Sequence, residues 1–263
     1  MQFKDKTVWI VGASAGIGEH IAYGCAIRGA RIILSARRKE ALEGVARQCR
    51  DLGAEAHVYV LDVTKPEEIK LMCNEVIEDF GGVDILINNA GVSQRALVSE
   101  SPLSIDRRLM EINYFGIVDI TKRMLPSMLK QGYGHIAVTS SAVGKFGFPL
   151  RSAYAASKHA LHGFFESLYL ENRKHGIGVT IVCPGRVKTD VSKNALSGDG
   201  SAYGIMDPGQ SRGMSAEECA ERYIRGIERN RREIYMGQEA ILIYLRRFIP
   251  PLFFRIAEKV SAK

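Results

Sequence analysis

Residues 7–18 read TVWIVGASAGIG, and this stretch predicts how the chain begins to fold. Thr7–Val11 is a short apolar, β-branched run, typical of a buried strand. A glycine-rich turn follows with the spacing G-x-x-x-G-x-G, and then a helical pattern to about Arg28. Glycines let the backbone approach a pyrophosphate, and a helix N-terminus offers it free N–H groups. The order strand, turn, helix therefore predicts a dinucleotide site, with a plain glycine turn as the alternative. The candidate contacts are Gly12, Ser14, Gly16, Ile17 and Gly18.

Strands and helices alternate along the rest of the chain. Six further strands are predicted at Arg31–Ala36, Glu55–Leu61, Val83–Ile87, His135–Thr139, Gly178–Cys183 and Glu233–Met236. Helical patterns lie between them, at about 38–52, 66–80, 102–131, 152–175 and 215–230. This alternation predicts one α/β domain over residues 1–263, with a doubly wound parallel sheet of about seven strands and helices on both faces.

The helical pattern at 102–131 contains two residues that do not suit a helix interior. Pro126 predicts a break, because proline lacks the N–H that an α-helix needs. Asn113 competes for backbone hydrogen bonds, so it predicts either a local kink or a bound water.

Two arginines, Arg37 and Arg38, stand at the end of the second predicted strand. A cofactor with a free ribose 2′-hydroxyl favours an Asp or Glu there, whereas a guanidinium suits a 2′-phosphate. The pair therefore favours NADP(H) over NAD(H), unless both arginines simply begin the next helix. Asp62 and Val63 follow the third strand, where Asp62 can accept from an adenine amino group or begin a turn.

Tyr154 and Lys158 are four residues apart in a predicted helix, which puts both on one face. A neighbouring ammonium favours the phenolate, so we expect a lowered pKa for Tyr154 and proton exchange with an alcohol or ketone. Ser141 ends an apolar run and can hydrogen-bond the same substrate oxygen. Taken alone, this spacing also fits a buried tyrosine beside a solvated lysine.

Together these residues resemble the classical short-chain dehydrogenase/reductase family over about residues 3–237. The shared motifs are the glycine turn at 12–18, NNAG at 88–91, Asn113, Ser141, YxxxK at 154–158 and PG at 184–185. Tyr154 follows Ser141 by thirteen residues, which selects Ser141 over Ser140. Two departures are Val11, where members often have Thr, and Ala15, where many NADP-preferring members have a basic residue. Residues 154–160 and 199–206 are similar to a membrane-associated branch near the 11β-hydroxysteroid dehydrogenases.

The resemblance implies a Rossmann-type fold and hydride transfer between a nicotinamide and a carbonyl or alcohol. Tyr154 is then the general acid or base, Lys158 lowers its pKa and holds the ribose, Ser141 orients the carbonyl, and Asn113 holds a relay water. Further implied cofactor contacts are Asn89, Ala90, Gly91, Pro184, Gly185, Val187 and Thr189. The alternatives are a substrate of another type, such as an enoyl thioester or a sugar, or a catalytically silent nucleotide-binding regulator.

Residues 186–214 are polar and glycine-rich, so we expect a mobile substrate loop. A hydrophobic substrate would fit an apolar pocket near Tyr154. The residues that could line such a pocket, or could be ordinary core, are Val143, Phe146, Phe148, Val191 and Tyr203.

The composition indicates in which compartment the protein works and which partners it can bind. Five cysteines are dispersed without a C-x-x-C pair, which argues against disulfides and a zinc site and indicates a cytoplasmic protein without a structural metal. We expect no secretory signal. The net charge is +7, but no aromatic residues alternate with basic ones, so we expect no nucleic-acid partner. Family members commonly pair through their long helices, here 103–130 and 152–175, which implies a homodimer or homotetramer.

The C-terminal extension, residues 238–263, combines bulky apolar residues with arginines at 240–257. Interfacial helices share this composition. Three interpretations remain open: packing against a second subunit, a lid on the substrate pocket, and peripheral contact with a membrane.

Overall fold

A computed structural model describes residues 2–259 and contains the predicted parallel sheet. Its seven strands are β1 Thr7–Val11, β2 Arg31–Ala36, β3 Ala56–Val60, β4 Ile85–Asn88, β5 Gly134–Thr139, β6 Ile177–Pro184 and β7 Glu233–Met236. They lie in the order β3-β2-β1-β4-β5-β6-β7, and every pairing is parallel. Val11 is in register with Ser35 on one side and Asn88 on the other, so the carboxyl ends of these strands form one edge. The doubly wound α/β fold is confirmed.

Nine helices of at least eight residues surround this sheet within residues 2–259. They are α1 Gly16–Ile27, α2 Lys39–Asp51, α3 Pro66–Phe80, α4 Leu103–Met110, α5 Gly116–Gln131, α6 Ser152–Asn172, α7 Ala216–Glu228, α8 Ala240–Phe248 and α9 Pro250–Ala257. Val8 and Ile10 pack into a core with α1, α2 and α7, whereas Trp9 and Val11 pack into a core with α3, α5 and α6. This division follows from the two-residue period of a strand, which points successive side chains to opposite faces.

The break in the helical stretch 102–131 lies at Asn113, not at Pro126. One π-helical turn, Glu111–Phe115, separates α4 from α5, and Pro126 is accommodated inside α5. The predicted break at Pro126 is therefore wrong. Met124 and Met128 on either side of the proline are fully buried, and their packing holds the helix together where one backbone hydrogen bond is missing.

The substrate loop, residues 186–214, has more regular structure than a mobile flap. Val187–Lys188 pairs with Met214–Ser215, and Leu196–Ser197 pairs with Gln94–Arg95. A one-turn helix, Pro208–Ser211, lies between these pairs. The short pairings hold both ends and the middle of the loop against the domain.

The described part of the C-terminal extension forms α8 and α9, which pack beside the end of β5. Ile243 and Phe253 are buried in a cluster with Ala142 and Phe146. The Phe253 and Phe146 ring centroids are 5.3 Å apart. Between residues 2 and 259 the chain has no helix whose length and hydropathy would let it cross a bilayer.

Candidate active site

A cleft of about 750 Å³ opens at the carboxyl edge of the sheet and collects nearly all the predicted site residues. Its lining includes Gly12, Ser14, Gly16, Ile17, Arg37, Arg38, Asp62, Val63, Asn89, Ala90, Gly91, Ser141, Tyr154, Lys158, Pro184, Gly185, Val187 and Thr189. Gly18 and Asn113 lie behind this lining and act on the site through the backbone that they contact. The fold thus brings these residues together at one cleft from segments far apart in the chain.

The glycine turn is built so that backbone, not side chains, faces the cleft. Gly12 has φ +91°, and a Cβ there would lie 2.5 Å from the backbone nitrogen of Ala90. A Cβ on Gly18 would overlap the carbonyl oxygen of Gly12. The N-cap of α1 is Ala15, which supplies no side-chain cap, and the N–H of Gly16 donates to Oε2 of Glu19 at 3.1 Å. The N-terminal end of α1 beside the cleft still favours an anion through the helix dipole. This cradle fits the pyrophosphate of a nicotinamide dinucleotide.

Arg37 and Arg38 flank the cleft where the adenosine end of such a cofactor would lie. Both side chains are exposed, and Nη2 of Arg38 lies 3.2 Å from Oγ of Ser14. This contact brings a guanidinium and a hydroxyl together beside the glycine turn. A guanidinium and a hydroxyl can both donate hydrogen bonds to a phosphate.

Asn89 ties the glycine turn to the end of β5. Its Nδ2 donates to the carbonyl oxygen of Gly12 at 2.9 Å, and its Oδ1 accepts from Oγ1 of Thr139 at 3.0 Å. Both ends of the amide are thus engaged. The side chain fixes the distance between the cofactor cradle and the end of β5.

The predicted catalytic groups meet at the end of β5 and the start of α6. Ser141 follows β5, and Tyr154 lies in the first turn of α6. Nζ of Lys158 lies 5.9 Å from the Tyr154 ring centroid and donates to the carbonyl oxygen of Thr139 at 2.7 Å. Lys158 is 3% exposed, and burial lowers its pKa to about 8, so its ammonium still predominates at neutral pH.

The pKa of Tyr154 is raised, not lowered as the spacing with Lys158 predicted. Burial is the main cause, because it penalises the phenolate. The Ser141 hydroxyl and the guanidinium groups of Arg95 and Arg151 act in the opposite direction and limit the rise. The spacing to Lys158 is visible in the sequence, whereas burial of the phenol depends on the folded chain.

Asn113 is fully buried in the π-helical turn and clamps the segment after β4. Its Oδ1 accepts from the backbone N–H of Val92 at 2.8 Å, and its Nδ2 donates to the Val92 carbonyl at 2.9 Å. Nδ2 also donates to Oγ of Ser157, which is one residue before Lys158, at 3.0 Å. The expected kink is therefore present, while the relay water stays a prediction.

Sequence reasoning missed a group of polar residues around the start of α6. Oε1 of Gln94 accepts from the backbone N–H groups of Ala153 and Tyr154, at 2.9 and 3.4 Å. Arg95, Arg151 and Asp207 form a buried ion triad beside them. Their charges were visible in the sequence, but nothing local indicates a pairing between residues 95 and 207.

The substrate end of the cleft is lined by Val92, Ile112, Val191 and Leu196, together with the exposed Arg108. Of the five residues expected to form an apolar pocket, only Val191 is part of this lining.

The other four residues of that set lie elsewhere. Phe146 is buried against Phe253, and Val143 and Phe148 pack against the same cluster. Tyr203 is half-buried in the substrate loop, where its N–H donates to the carbonyl of Ala195. Phe146 is therefore core, as the alternative interpretation held.

One group of potential metal ligands occurs within residues 2–259. Ligand atoms of His162, Cys183 and Glu233 lie within 4.8 Å of one another. Nζ of Lys145 is 2.6 Å from Oε1 of Glu233, so this carboxylate already has a cationic partner. Oγ of Ser140 lies 2.9 Å from Nε2 of His162. We interpret the group as a polar network behind β5 and assign no metal to it.

Comparison with known proteins gives a matching family, similar relatives and similar solved structures. A model described as short chain dehydrogenase matches residues 6–199. The chain is 39% identical over 259 residues to Dehydrogenase/reductase SDR family member 7B of Xenopus tropicalis, covering 95% of this chain and 84% of that protein. A solved short chain dehydrogenase/reductase from Burkholderia phymatum, in complex with NAD, has a TM-score of 0.84, 26% identity and 96% coverage of both chains.

A second solved structure carries a different nucleotide. It is an alcohol dehydrogenase from Thermococcus sibiricus complexed with 5-hydroxy-NADP, with a TM-score of 0.76 and 28% identity over 89% of this chain and 96% of that chain. Structural similarity therefore indicates a nicotinamide nucleotide without selecting NAD(H) or NADP(H).

Proposed function

The chain belongs to the short-chain dehydrogenase/reductase family of oxidoreductases, and we propose that it interconverts a carbonyl and an alcohol with NADP(H) as its cofactor. One observation carries this proposal: Ser141 and Tyr154 line the same cleft as the glycine turn, with the Lys158 ammonium behind the tyrosine. A proton donor, a second hydroxyl and a cation therefore converge beside a dinucleotide cradle. This combination can protonate and stabilise a carbonyl oxygen as it is reduced.

Each residue has a defined task in the proposed reaction. When bound, the reduced nicotinamide supplies a hydride to the carbonyl carbon. The Tyr154 hydroxyl donates its proton to the carbonyl oxygen, and Ser141 donates a hydrogen bond to the same oxygen. The Lys158 ammonium stabilises the resulting phenolate, and the alcohol oxidation uses the same groups in reverse.

The preference for NADP(H) is supported by Arg37 and Arg38 at the end of β2. These two guanidinium groups face the cleft, and Ser14 adds a hydroxyl beside them. A 2′-phosphate carries about two negative charges, which guanidinium groups bind through charge-assisted hydrogen bonds. NADPH should therefore bind more tightly than NADH.

The direct test of the function is NADPH consumption against a broad panel of ketones and aldehydes. We expect oxidation of NADPH with at least one apolar carbonyl compound, because Val92, Ile112 and Leu196 line the substrate end. Tyr154→Phe should lower kcat by at least about 100-fold while NADPH binding, followed by nicotinamide fluorescence, is retained. Activity that survives in Tyr154→Phe would show that the mechanism is wrong.

The alternative substrates and the silent regulator are distinguished in the same experiment. Consumption of NADPH only with an enoyl thioester or a sugar would identify the other substrate types. Binding of NADPH with no turnover on any compound would favour the regulator. The complete set of Asn113, Ser141, Tyr154 and Lys158 favours an enzyme, because a regulator has no need for a proton donor beside the nicotinamide site.

We further propose a cytoplasmic homodimer or homotetramer that pairs through α5 and α6. Leu129 and Leu170, one on each helix, are 37% and 67% exposed. Paired helices would cover such side chains.

The C-terminal extension offers a second exposed apolar surface, for which we propose peripheral contact with a membrane. No residue of 238–259 lines the cleft, so the lid interpretation lacks support.

A further inference from the structure

The substrate loop is joined to the catalytic helix by buried charges. Nε and Nη2 of Arg95 donate to Oδ2 of Asp207 at 3.0 and 2.5 Å, and Nη2 of Arg151 donates to the same oxygen at 3.2 Å. The side chains of Arg95, Asp207 and Arg151 are 3%, 10% and 15% exposed. Three segments that are remote in sequence thus meet at one carboxylate oxygen.

The surrounding backbone holds this ion triad in place. Nη1 of Arg95 donates to Oγ of Ser93 and to the carbonyl of Gln94, at 2.8 and 2.6 Å. Leu150, immediately before Arg151, adopts φ +63°, a left-handed conformation that leucine disfavours. Its carbonyl accepts from the N–H of Ala96 at 3.2 Å. Backbone strain of this kind persists where the surrounding structure requires it, commonly at functional sites.

The ion triad carries one more positive charge than negative charge. Two guanidinium groups share one carboxylate in a nearly buried position, and burial together with Arg95 lowers the pKa of Arg151 to about 10. An unbalanced buried cation is unfavourable unless an anion forms nearby. Tyr154 lies three residues after Arg151, and its phenolate is such an anion.

We propose that Arg95, Arg151 and Asp207 are positioning residues for Tyr154, which hold the substrate loop against the start of α6 and place an excess positive charge beside the catalytic hydroxyl. This inference rests on the proposed function. The charged groups around Tyr154 are Lys158 and Arg151 on α6 and Arg95 on the short strand, while Asp207 and Arg186 reach Arg151 from the substrate loop. The Ser141 hydroxyl faces it from the end of β5.

Removing a cation and removing an anion from the triad should shift the pKa of Tyr154 in opposite directions. Arg151→Met removes a cation and should raise the apparent pKa of Tyr154 by about half a unit to one unit. Asp207→Asn removes an anion and should lower it by a similar amount. Arg151→Lys keeps the charge and should leave the pKa close to that of the wild type. A merely structural role predicts no such reversal of sign.

Two measurements read out this ionisation. The first is the pH profile of kcat/KM for carbonyl reduction at saturating NADPH, in which activity falls as pH rises through the pKa of the proton donor. The second needs no substrate: the phenolate absorbance of each protein is titrated, and the titration of its Tyr154→Phe counterpart is subtracted. Arg173→Met, at the far end of α6, is the matched control and should change neither.

The outcomes separate this inference from the proposed function. If no carbonyl is reduced but the absorbance titrations shift in opposite directions, the function fails and the triad stands. If carbonyls are reduced but Arg151→Met and Asp207→Asn titrate like the control, the triad proposal is overturned. Should Arg151→Met fail to fold, Asp207→Asn decides alone: a lowered pKa supports the proposal, and an unchanged or raised one refutes it.

Discussion

We propose that single charged side chains at the cleft edge select the nicotinamide nucleotide. Arg37 and Arg38 both line the cleft, and Arg38 is already held near Ser14. We predict that Arg37→Ala raises the Kd of NADPH at least about tenfold and leaves that of NADH nearly unchanged, since one charge-assisted phosphate contact contributes about 1.5–3 kcal/mol. Isothermal titration calorimetry measures both constants. Arg47→Ala, an exposed arginine on α2, is the control. Equal affinities for the two nucleotides in the unmodified protein would contradict the preference.

A buried histidine makes the stability of the domain depend on pH. His135 is 2% exposed, and burial lowers its pKa to about 4. Its Nε2 lies 2.8 Å from Oγ1 of Thr180, and that hydroxyl donates to the carbonyl of Arg231, so Nε2 is the protonated nitrogen. Nδ1 then lies against Gly178, where a second proton would find little solvation.

The sign of the effect follows from the two states of His135. The unfolded chain binds the proton near pH 6.5, whereas the folded chain binds it only near pH 4. The contribution of neutral His135 to the free energy of unfolding is therefore fully present above about pH 6.5 and is lost as the pH falls towards 4. The loss reaches on the order of 3 kcal/mol. In His135→Gln the free energy of unfolding, from urea titrations at pH 7 and pH 5, should change less between the two pH values than in the wild type. The exposed His175→Gln should keep the wild-type difference.

At the scale of elements, one buried aromatic residue, Phe253, packs the C-terminal extension against the rest of the domain. Phe253 is 1% exposed and packs on Phe146, which follows the Ala142–Gly144 turn after Ser141. We predict that Phe253→Ala lowers the free energy of unfolding by about 3–5 kcal/mol, the usual range for a buried phenylalanine. The neighbouring Phe254 is 51% exposed, so Phe254→Ala should cost well under half as much. Equal losses in thermal unfolding experiments on the two variants would show that α9 does not pack as described.

The same elements show which parts of the structure can be read from sequence. The strand, glycine turn and helix at 7–27 were predictable, because apolar period and glycine spacing act locally. Asn113 predicted a kink or a bound water, but the sequence could not choose between them, because Asn113 is held in its π-turn by Val92, twenty-one residues earlier. The contact between Arg95 and Asp207 spans 112 residues and depends on the finished topology. The raised pKa of Tyr154 likewise depends on burial, which only the folded chain provides.

At the scale of the whole molecule, α8 and α9 leave a large apolar surface uncovered. Ile241, Tyr244, Phe248 and Phe254 are between 51% and 74% exposed. Arg246, Arg247 and Arg255 lie on the same two helices and are exposed as well. Exposed aromatic residues with nearby cations are typical of helices that lie in the surface of an anionic membrane.

We therefore predict binding to vesicles that contain phosphatidylserine, and weaker binding as the salt concentration rises. Removal of residues 238–263 is a poor test, because it would also uncover the buried face of Phe146. Phe248→Ser with Phe254→Ser removes apolar contacts, and Arg246→Glu with Arg247→Glu reverses the charge, while both pairs leave Phe253 intact. Each pair should lower the co-sedimented fraction at least about fivefold, since a surface-bound arginine contributes about 1 kcal/mol.

Sedimentation velocity on the same four-residue set distinguishes the membrane from a second subunit. If the exposed surface binds lipid, the variants keep the oligomeric state of the wild type, because the proposed contacts between subunits lie on α5 and α6. If the exposed surface packs against another copy of the chain, Phe248→Ser with Phe254→Ser shifts the protein towards a smaller oligomer. In that case the wild type does not co-sediment with the vesicles. Charge reversal weakens binding to anionic lipid but need not disrupt an apolar contact between subunits. The arginine variants therefore distinguish membrane binding from packing against a second subunit.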